Sequence, residues 1–380
     1  MKKEWQTKRL GEVCEIIKGR KPALKVTSSN GDLPYLVAKV MRGSKEAEYA
    51  SVKDRNAVTV EESDTIIICD GSNSGEVFTG FRGILSSTMG KIAKKAEIND
   101  DYLRAFLAST FEVFNGAKTG AAIPHLDKEA MYQLQFPLPP LDEQKQIVAK
   151  LEEAFAALAK AKENAEKNHQ NARALFESHL ESVFSQRGKG WVETTLGQVI
   201  EIVGGSQPPK SVFSKTKKAD SIRLIQIRDY KSDKYVVFIP RNQARRFCNA
   251  DDVMIGRYGP PLFQILRGIE GAYNVALMKA VPDEAKLSRD YLFYFLKHSA
   301  ILQYVIYHSS RAAGQIGVTK ETLEPYPIAL PSLAEQRKVV EIIQELETET
   351  QCLARLYEQK LEALESLKKS ILHEAFSGNL

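Results

Sequence analysis

The sequence predicts an α+β protein: two sheet-rich globular domains separated by two long antiparallel helices forming a coiled coil, with an internal pseudo-two-fold repeat. Three observations carry this reading. Apolar residues keep a 3-4 spacing through two stretches of about forty residues, the chain repeats itself at an offset near 190, and the segments between have the period of strands.

The first helical stretch opens Pro139-Pro140-Leu141-Asp142-Glu143-Gln144 and carries Ile147, Leu151, Ala154, Leu158, Ala161, Ala165, Asn168, Ala172 and Leu175 on one seam. Its counterpart, 192 residues on, opens Pro331-Ser332-Leu333-Ala334-Glu335-Gln336 and carries Val339, Ile343, Leu346, Thr350, Leu353, Tyr357, Lys360, Leu364, Leu367 and Ile371. A stripe this narrow does not hold a lone helix in water. The two stretches therefore need each other or partner helices, and one chain pairs them most simply antiparallel. Each preceding proline keeps the residue before it out of the helical region, which fixes the start. Ser332 and Glu335 are expected to form a capping box, and Asp142 to be the N-cap of the first helix. The implied divisions are residues 1–138, 139–187, 188–330 and 331–380.

The repeat extends through the globular parts. Trp5 to Gly19 matches Trp191 to Gly205 at an offset of 186; Leu36-Val37 matches Leu224-Ile225, and Gly71, Gly83 and Lys91 match Gly259, Gly271 and Lys279, at 188. Short β-branched runs (Leu33 to Val40, Thr65 to Ile68, Leu224 to Ile227, Tyr235 to Ile239, Val253 to Ile255, Asn274 to Lys279) predict a twisted, mostly antiparallel sheet in each copy. Asp100 to Asn115 and Arg289 to His308 read as amphipathic helices, and Leu134 to Leu138 and Tyr326 to Leu330 as short strands before the long helices.

Composition narrows the function classes. No apolar run reaches membrane length and the N-terminus lacks a signal-peptide core, so a cytoplasmic protein with no membrane partner is expected. Cys14, Cys69, Cys248 and Cys352 are scattered singly, as reduced and mostly buried thiols would be. The net charge is +5, but residues 206 to 249 hold eleven Lys and Arg against three acids. Such a concentration of positive charge suits a surface that meets phosphates, though a solvated basic face has the same composition.

Motifs for catalysis are missing. There is no phosphate loop, no Gly-x-Ser-x-Gly elbow and no His-Glu-x-x-His. Gly259-Pro260-Pro261-Leu262 lacks the Asn and the aromatic of a base-flipping methyltransferase loop and reads as a rigid turn. His125, His169, His179, His298, His308 and His373 have no obvious catalytic partners. No catalytic, cofactor-binding or metal-binding residue is expected.

Two related domains held apart by a rigid coil suit two similar targets on one polymer, and DNA is such a polymer. The Trp-x-x-x-x-Leu-Gly-x-Val opening of each half, the Pro-x-Leu-x-Glu-Gln start of each long helix and the Phe184-Ser185 and Phe376-Ser377 helix ends resemble the specificity subunits of type I restriction-modification systems. The resemblance runs the length of the chain. It implies two target-recognition domains on a non-catalytic subunit, each reading one half of a bipartite site in double-stranded DNA. It also implies two methyltransferase subunits and ATP-driven restriction subunits as partners. S-adenosylmethionine, ATP and Mg would belong to those partners, none to this chain. A coiled-coil adaptor binding proteins through the two sheet domains is the competing reading.

On that footing, Lys215, Lys217 and Lys218 are candidates for phosphate contacts, with Gln226, Arg228, Tyr230, Arg257 and Tyr258 near bases. In the first domain the candidates are Arg20, Lys21, Lys39, Arg42, the loop Ser72-Asn73-Ser74, and Arg82. The loop pieces Lys118-Thr119-Gly120 and Arg311 to Gly314 could approach the backbone. Val148, Phe155, Val340 and Ile342, off the helix seam, are candidates for docking the methyltransferase subunits, or for packing against the chain's own domains.

Overall fold

The computed structural model describes residues 5–27, 32–111, 125–186, 188–309 and 317–380. The chain forms two compact units, Met1–Ala165 with Gln359–Leu380, and Glu166–Glu358. Each long helix, expected from the sequence to be a division of its own, is thus split between the two.

In the first unit Gln6–Arg9 pairs antiparallel with Gln135–Leu138. Cys14–Lys18, Met89–Lys94, Ile66–Ile68 and Val77–Phe78 form an antiparallel sheet in that order. A second sheet takes Tyr49–Ala50, Leu33–Leu36, Gly83–Leu85 and Thr59–Val60, with Leu33–Leu36 parallel to Gly83–Leu85. That approach requires glycine at 83, where a Cβ would stand 2.4 Å from the Pro34 carbonyl oxygen. Ile66, Ile67 and Ile68 are all buried because cores lie on both faces of their strand: Ile67 joins Leu103 and Phe106, while Ile66 and Ile68 join Leu36 and Met89. Each such side chain contributes roughly 1.5–3 kcal/mol by leaving water.

The second unit repeats this topology strand for strand. Val192–Thr195 pairs with Pro327–Leu330. One sheet runs Ile200–Gly204, Leu277–Pro282, Val253–Gly256, Gln264–Leu266, and the other Phe238–Pro240, Ser221–Ile225, Gly271–Tyr273, Phe247–Cys248. The register corrects one sequence match. Tyr35-Leu36 pairs with Ile84-Leu85 as Leu224-Ile225 pairs with Ala272-Tyr273. Leu36 therefore stands where Ile225 does, one residue from the expected match. In a strand such a slip exchanges the faces, so it changes which downstream residues are equivalent.

Asp100–Ser109 is helical, capped by the Asn99 side chain. Its counterpart in the second unit is Arg289–Lys297; there a second helix, Ser299–Ser309, follows after extended His298, where the sequence predicts one stretch. The His298 ring is buried beside Phe184, Phe295 and Tyr326. Cys14, Cys69 and Cys248 are buried and Cys352 is exposed, all free. Burial pushes the Cys14 thiol up to about 12.

The long helices are Leu141–Ser185 and Leu333–Ser377. Ser332 and Glu335 make the expected box, with Glu335 Oε2 accepting the Ser332 N–H at 3.0 Å and Ser332 Oγ accepting that of Glu335 at 3.3 Å. Asp142 is not an N-cap; it lies inside the first turn, where its charge suits the helix dipole. The antiparallel pairing is visible inside each unit. Lys162 meets Glu365 at 2.7 Å in the first, and His169 meets Glu358 at 3.0 Å in the second.

The buried stripe departs from the expected seam along both helices. Ile147, Leu151, Ala165 and Ala172 are buried, but Asn168 is exposed and Leu175 is 53% exposed, with Phe176 turned inward instead. Likewise Leu353 and Leu367 are exposed, while Ala354 and Leu372 lie inward. A helix of 3.6 residues per turn drifts by about 20° per heptad from a strict seven-residue repeat. Over the roughly four heptads from Ile147 to Phe176 that drift moves the inward face on by about one residue.

Each repeat gives the end of its helix to the other unit. Phe184 packs edge-on against Tyr291 and Phe295 in the second unit, at 5.3 and 5.4 Å between ring centroids. Phe376 does the same against Tyr102 and Phe106 in the first, at 5.2 and 5.3 Å.

Candidate nucleic-acid interface

The basic stretch of the second unit lies on turns flanking the sheet edge. Lys215, Lys217 and Lys218 are exposed. Ser221 pins their loop by accepting the Lys218 N–H at 2.8 Å and donating to its carbonyl at 2.7 Å. The next turn, Ile227–Tyr230, opens with the Gln226 N–H donated to Asp229 Oδ2 at 3.2 Å. It presents Arg228 to solvent, 5.1 Å over the ring of Tyr235. The register makes Arg228 the counterpart of Lys39, so two candidates chosen separately occupy one place in the fold.

The same turn corrects the reading of Tyr230. Its ring packs against the Ile225, Cys248 and Met254 core, and its hydroxyl is buried without a hydrogen-bond partner. Its counterpart is buried Met41, and Tyr230 packs as a core residue with its hydroxyl turned inward. Gln226 Nε2 is likewise buried and unpartnered. Burial raises the Asp229 carboxyl, against the lowering effects of the Gln226 backbone N–H and of Arg223 and Arg228.

The loop between Val253–Gly256 and Gln264–Leu266 carries Arg257 and Tyr258. Arg257 Nε donates to the Val318 carbonyl at 3.2 Å, and its guanidinium lies 5.1 Å from the Tyr258 ring centroid. Tyr258 closes over Gly317, where a Cβ would meet the ring at 2.5 Å. The first unit has the loop Gly71 to Gly75 at this place, with Ser72 Oγ donating to Asn73 Oδ1 at 3.2 Å. Ser74 is fully buried, its hydroxyl without a hydrogen-bond partner. Both loops are tied to the segment before the last short strand, by Leu126 N–H to Cys69 O at 2.8 Å and Val318 N–H to Arg257 O at 3.0 Å. Lys118-Thr119-Gly120 and Arg311 to Gly314 lie outside the described residues.

Other first-unit candidates are surface cations, most of them paired. Lys39 meets Glu46 at 3.7 Å, Arg82 meets Glu61 at 3.1 Å, and Arg42 bonds Glu76. Arg20 and Lys21 are exposed and make no ion pair among the described residues. A constellation not singled out in the sequence joins this loop: Asp70 holds Lys18 at 2.7 Å and His125 at 2.8 Å. Burial opposes the Asp70 charge, but these two bonds outweigh it and hold the carboxyl below its usual range. Their separation in sequence left no signal. Arg241, Arg245 and Arg246, exposed and without ion pairs among the described residues, were visible only as part of the charge count.

Of the docking candidates, Val340 is buried in the second unit's core and is not available to a partner. Val148 and Phe155 pack partly against the first unit's core, with Lys368 5.6 Å over the Phe155 ring. Ile342 is 55% exposed.

One sheet-rich fold used twice, with polar and basic loops at matching places, defines a tandem recognition protein. The sequence model of the type I restriction modification DNA specificity domain matches residues 2–167 and again 188–365. The chain belongs to that family. It is 26% identical to the type I restriction enzyme MjaVIII specificity subunit of Methanocaldococcus jannaschii, over 99% of this chain and 93% of that protein. With the EcoBI specificity subunit of Escherichia coli it shares 22%, over 90% and 78%. A chain solved in work on complex assembly and conformational transition of the type I R-M system superposes with a TM-score of 0.79 at 21% identity, covering 99% of this chain and 98% of that one. The HsdS subunit of Thermoanaerobacter tengcongensis gives 0.57 at 21%, covering 99% and 97%. Among the described residues no helix is long and apolar enough to cross a membrane.

Proposed function

We propose that this chain is the non-catalytic DNA-reading subunit of a type I restriction-modification complex, acting in the cytoplasm. Each unit reads one half of a bipartite site in double-stranded DNA. The long helices set the spacer and dock two methyltransferase subunits, with Ile342 in the docking face, and restriction subunits join that assembly. S-adenosylmethionine serves the methyltransferase partners, and ATP and Mg the restriction partners. The observation that carries this reading is that candidate loops of the two units fall at the same topological places while their residues differ, Arg257-Tyr258 in one and Ser72-Asn73 in the other. One scaffold thereby presents two different reading edges.

Phosphates are met by the exposed cations and base edges by Arg228, Arg257, Tyr258, Lys39, Ser72 and Asn73. The test is methylation mapping of DNA from cells expressing the chain with and without its methyltransferase subunit. A methylated adenine in a two-part asymmetric motif that requires this chain supports the reading. If no motif appears and the purified chain ignores duplex at low salt, a protein-binding adaptor takes its place.

A further inference from the structure

We propose that the two units grip DNA unequally, the second supplying most of the sequence-independent hold on the phosphates. This rests on the DNA-reading function above. Because one topology occurs twice, residues 20–61 and 206–249 can be compared place by place. The first stretch holds eight Lys and Arg against five Asp and Glu, the second eleven against three.

Pairing widens the difference. In the first stretch Lys25 meets Glu48 at 2.6 Å, Lys39 meets Glu46 at 3.7 Å, and Arg42 bonds Glu76. In the second, among the described residues, Arg223 alone is paired, to Asp233 at 2.9 Å and to Asp229 at 3.7 Å. The equivalent pair Lys39 and Arg228 shows the contrast directly: one faces a carboxylate, the other the ring of Tyr235. Lys217 and Arg241 also share, with Phe247 and Glu270, the wall of a cleft of about 560 Å³. A concave wall concentrates the field of its charges.

A cation already facing a carboxylate gains little by exchanging it for a phosphate. A cation facing water releases the phosphate's counterion and adds to the salt dependence of binding. The second unit is therefore the part that captures duplex, and the first completes recognition once the chain is on the DNA.

The experiment is binding of the full-length chain to a short mixed-sequence duplex across a salt series. Lys215→Ala, Lys217→Ala and Lys218→Ala together should flatten the plot of log affinity against log salt by about 2 to 3 in slope, against less than about 1 for Lys39→Ala, Arg42→Ala and Arg82→Ala together. Conversely, Glu46→Gln, Glu61→Gln and Glu76→Gln together free three cations and should tighten binding by about threefold or more. Thermal unfolding of each variant checks that the fold survives. Equal flattening by the two alanine sets, or no tightening by the glutamine set, overturns the unequal grip. A wild-type chain with no salt-dependent binding at all would instead remove the DNA-reading function.

Discussion

The side-chain oxygen of Gln336 accepts the backbone N–H of Ser288 at 2.9 Å, and its amide nitrogen donates to the carbonyls of Lys286 and Pro331 at 2.7 and 3.0 Å. Gln144 repeats the contact with the Asn99 N–H at 2.9 Å. Both glutamines are buried. The Pro-x-Leu-x-Glu-Gln sequence is thus a clip holding the start of each long helix to the N-cap of a domain helix.

Removing that clip leaves buried groups unsatisfied. Gln336→Ala should lower stability by about 1–3 kcal/mol, read as a shift in the urea midpoint, and Gln144→Ala should do the same. An unchanged midpoint in both would mean that water replaces the side chain at no cost.

Phe184→Ala removes a ring clasped by Tyr291 and Phe295. A loss of about 3–5 kcal/mol is expected from a large cavity in an aromatic cluster. Tryptophan or circular-dichroism melts of the variant check it, and a loss under 1 kcal/mol would show the helix end to be loosely seated.

Tyr230→Phe deletes a buried hydroxyl that has no partner. The variant should be as stable as the parent or up to about 1 kcal/mol more so, with its half-site unchanged in methylation mapping. A changed half-site would return Tyr230 to the reading surface.

Burial lowers the His298 pKa below the usual imidazole value, against a raising hydrogen bond to the Phe295 carbonyl and the nearby Glu181. The unfolded chain, near pKa 6.5, therefore takes up the proton first as pH falls. The stability contributed by the neutral ring is complete above about pH 6.5 and is lost on descent toward the folded pKa. Urea midpoints of wild type and His298→Phe, measured from pH 7.5 down to 5, should diverge only on the acid side.

Fold class, repeat and helix pairing were legible because burial leaves a period in the sequence, as at Ile147, Leu151 and Ile343. The drift that exposes Leu175 and Leu353 was not, because the sequence reports a spacing and not the phase against a partner. Leu36 was misaligned by one residue since neighbouring apolar residues match either register. Tyr230 was misplaced for a related reason: a short turn has no period to say which side chain points inward. At the candidate site, exposed cations were legible as composition, while the Lys18, Asp70 and His125 contacts depend on loop closure that no local pattern encodes.

The gift of Phe376 to the first unit bears on how the chain is made. Residues of the second unit, Glu166–Glu358, are contiguous, and Phe184 is already synthesised when its sheets emerge. The first unit instead waits for Leu372, Ala375 and Phe376 at the far end of the chain. At about 5–20 residues per second the wait exceeds roughly ten seconds. Vectorial synthesis therefore finishes the two units in reverse order, and until the last turn of helix leaves the ribosome the N-terminal core stays open on the side Phe376 will cover.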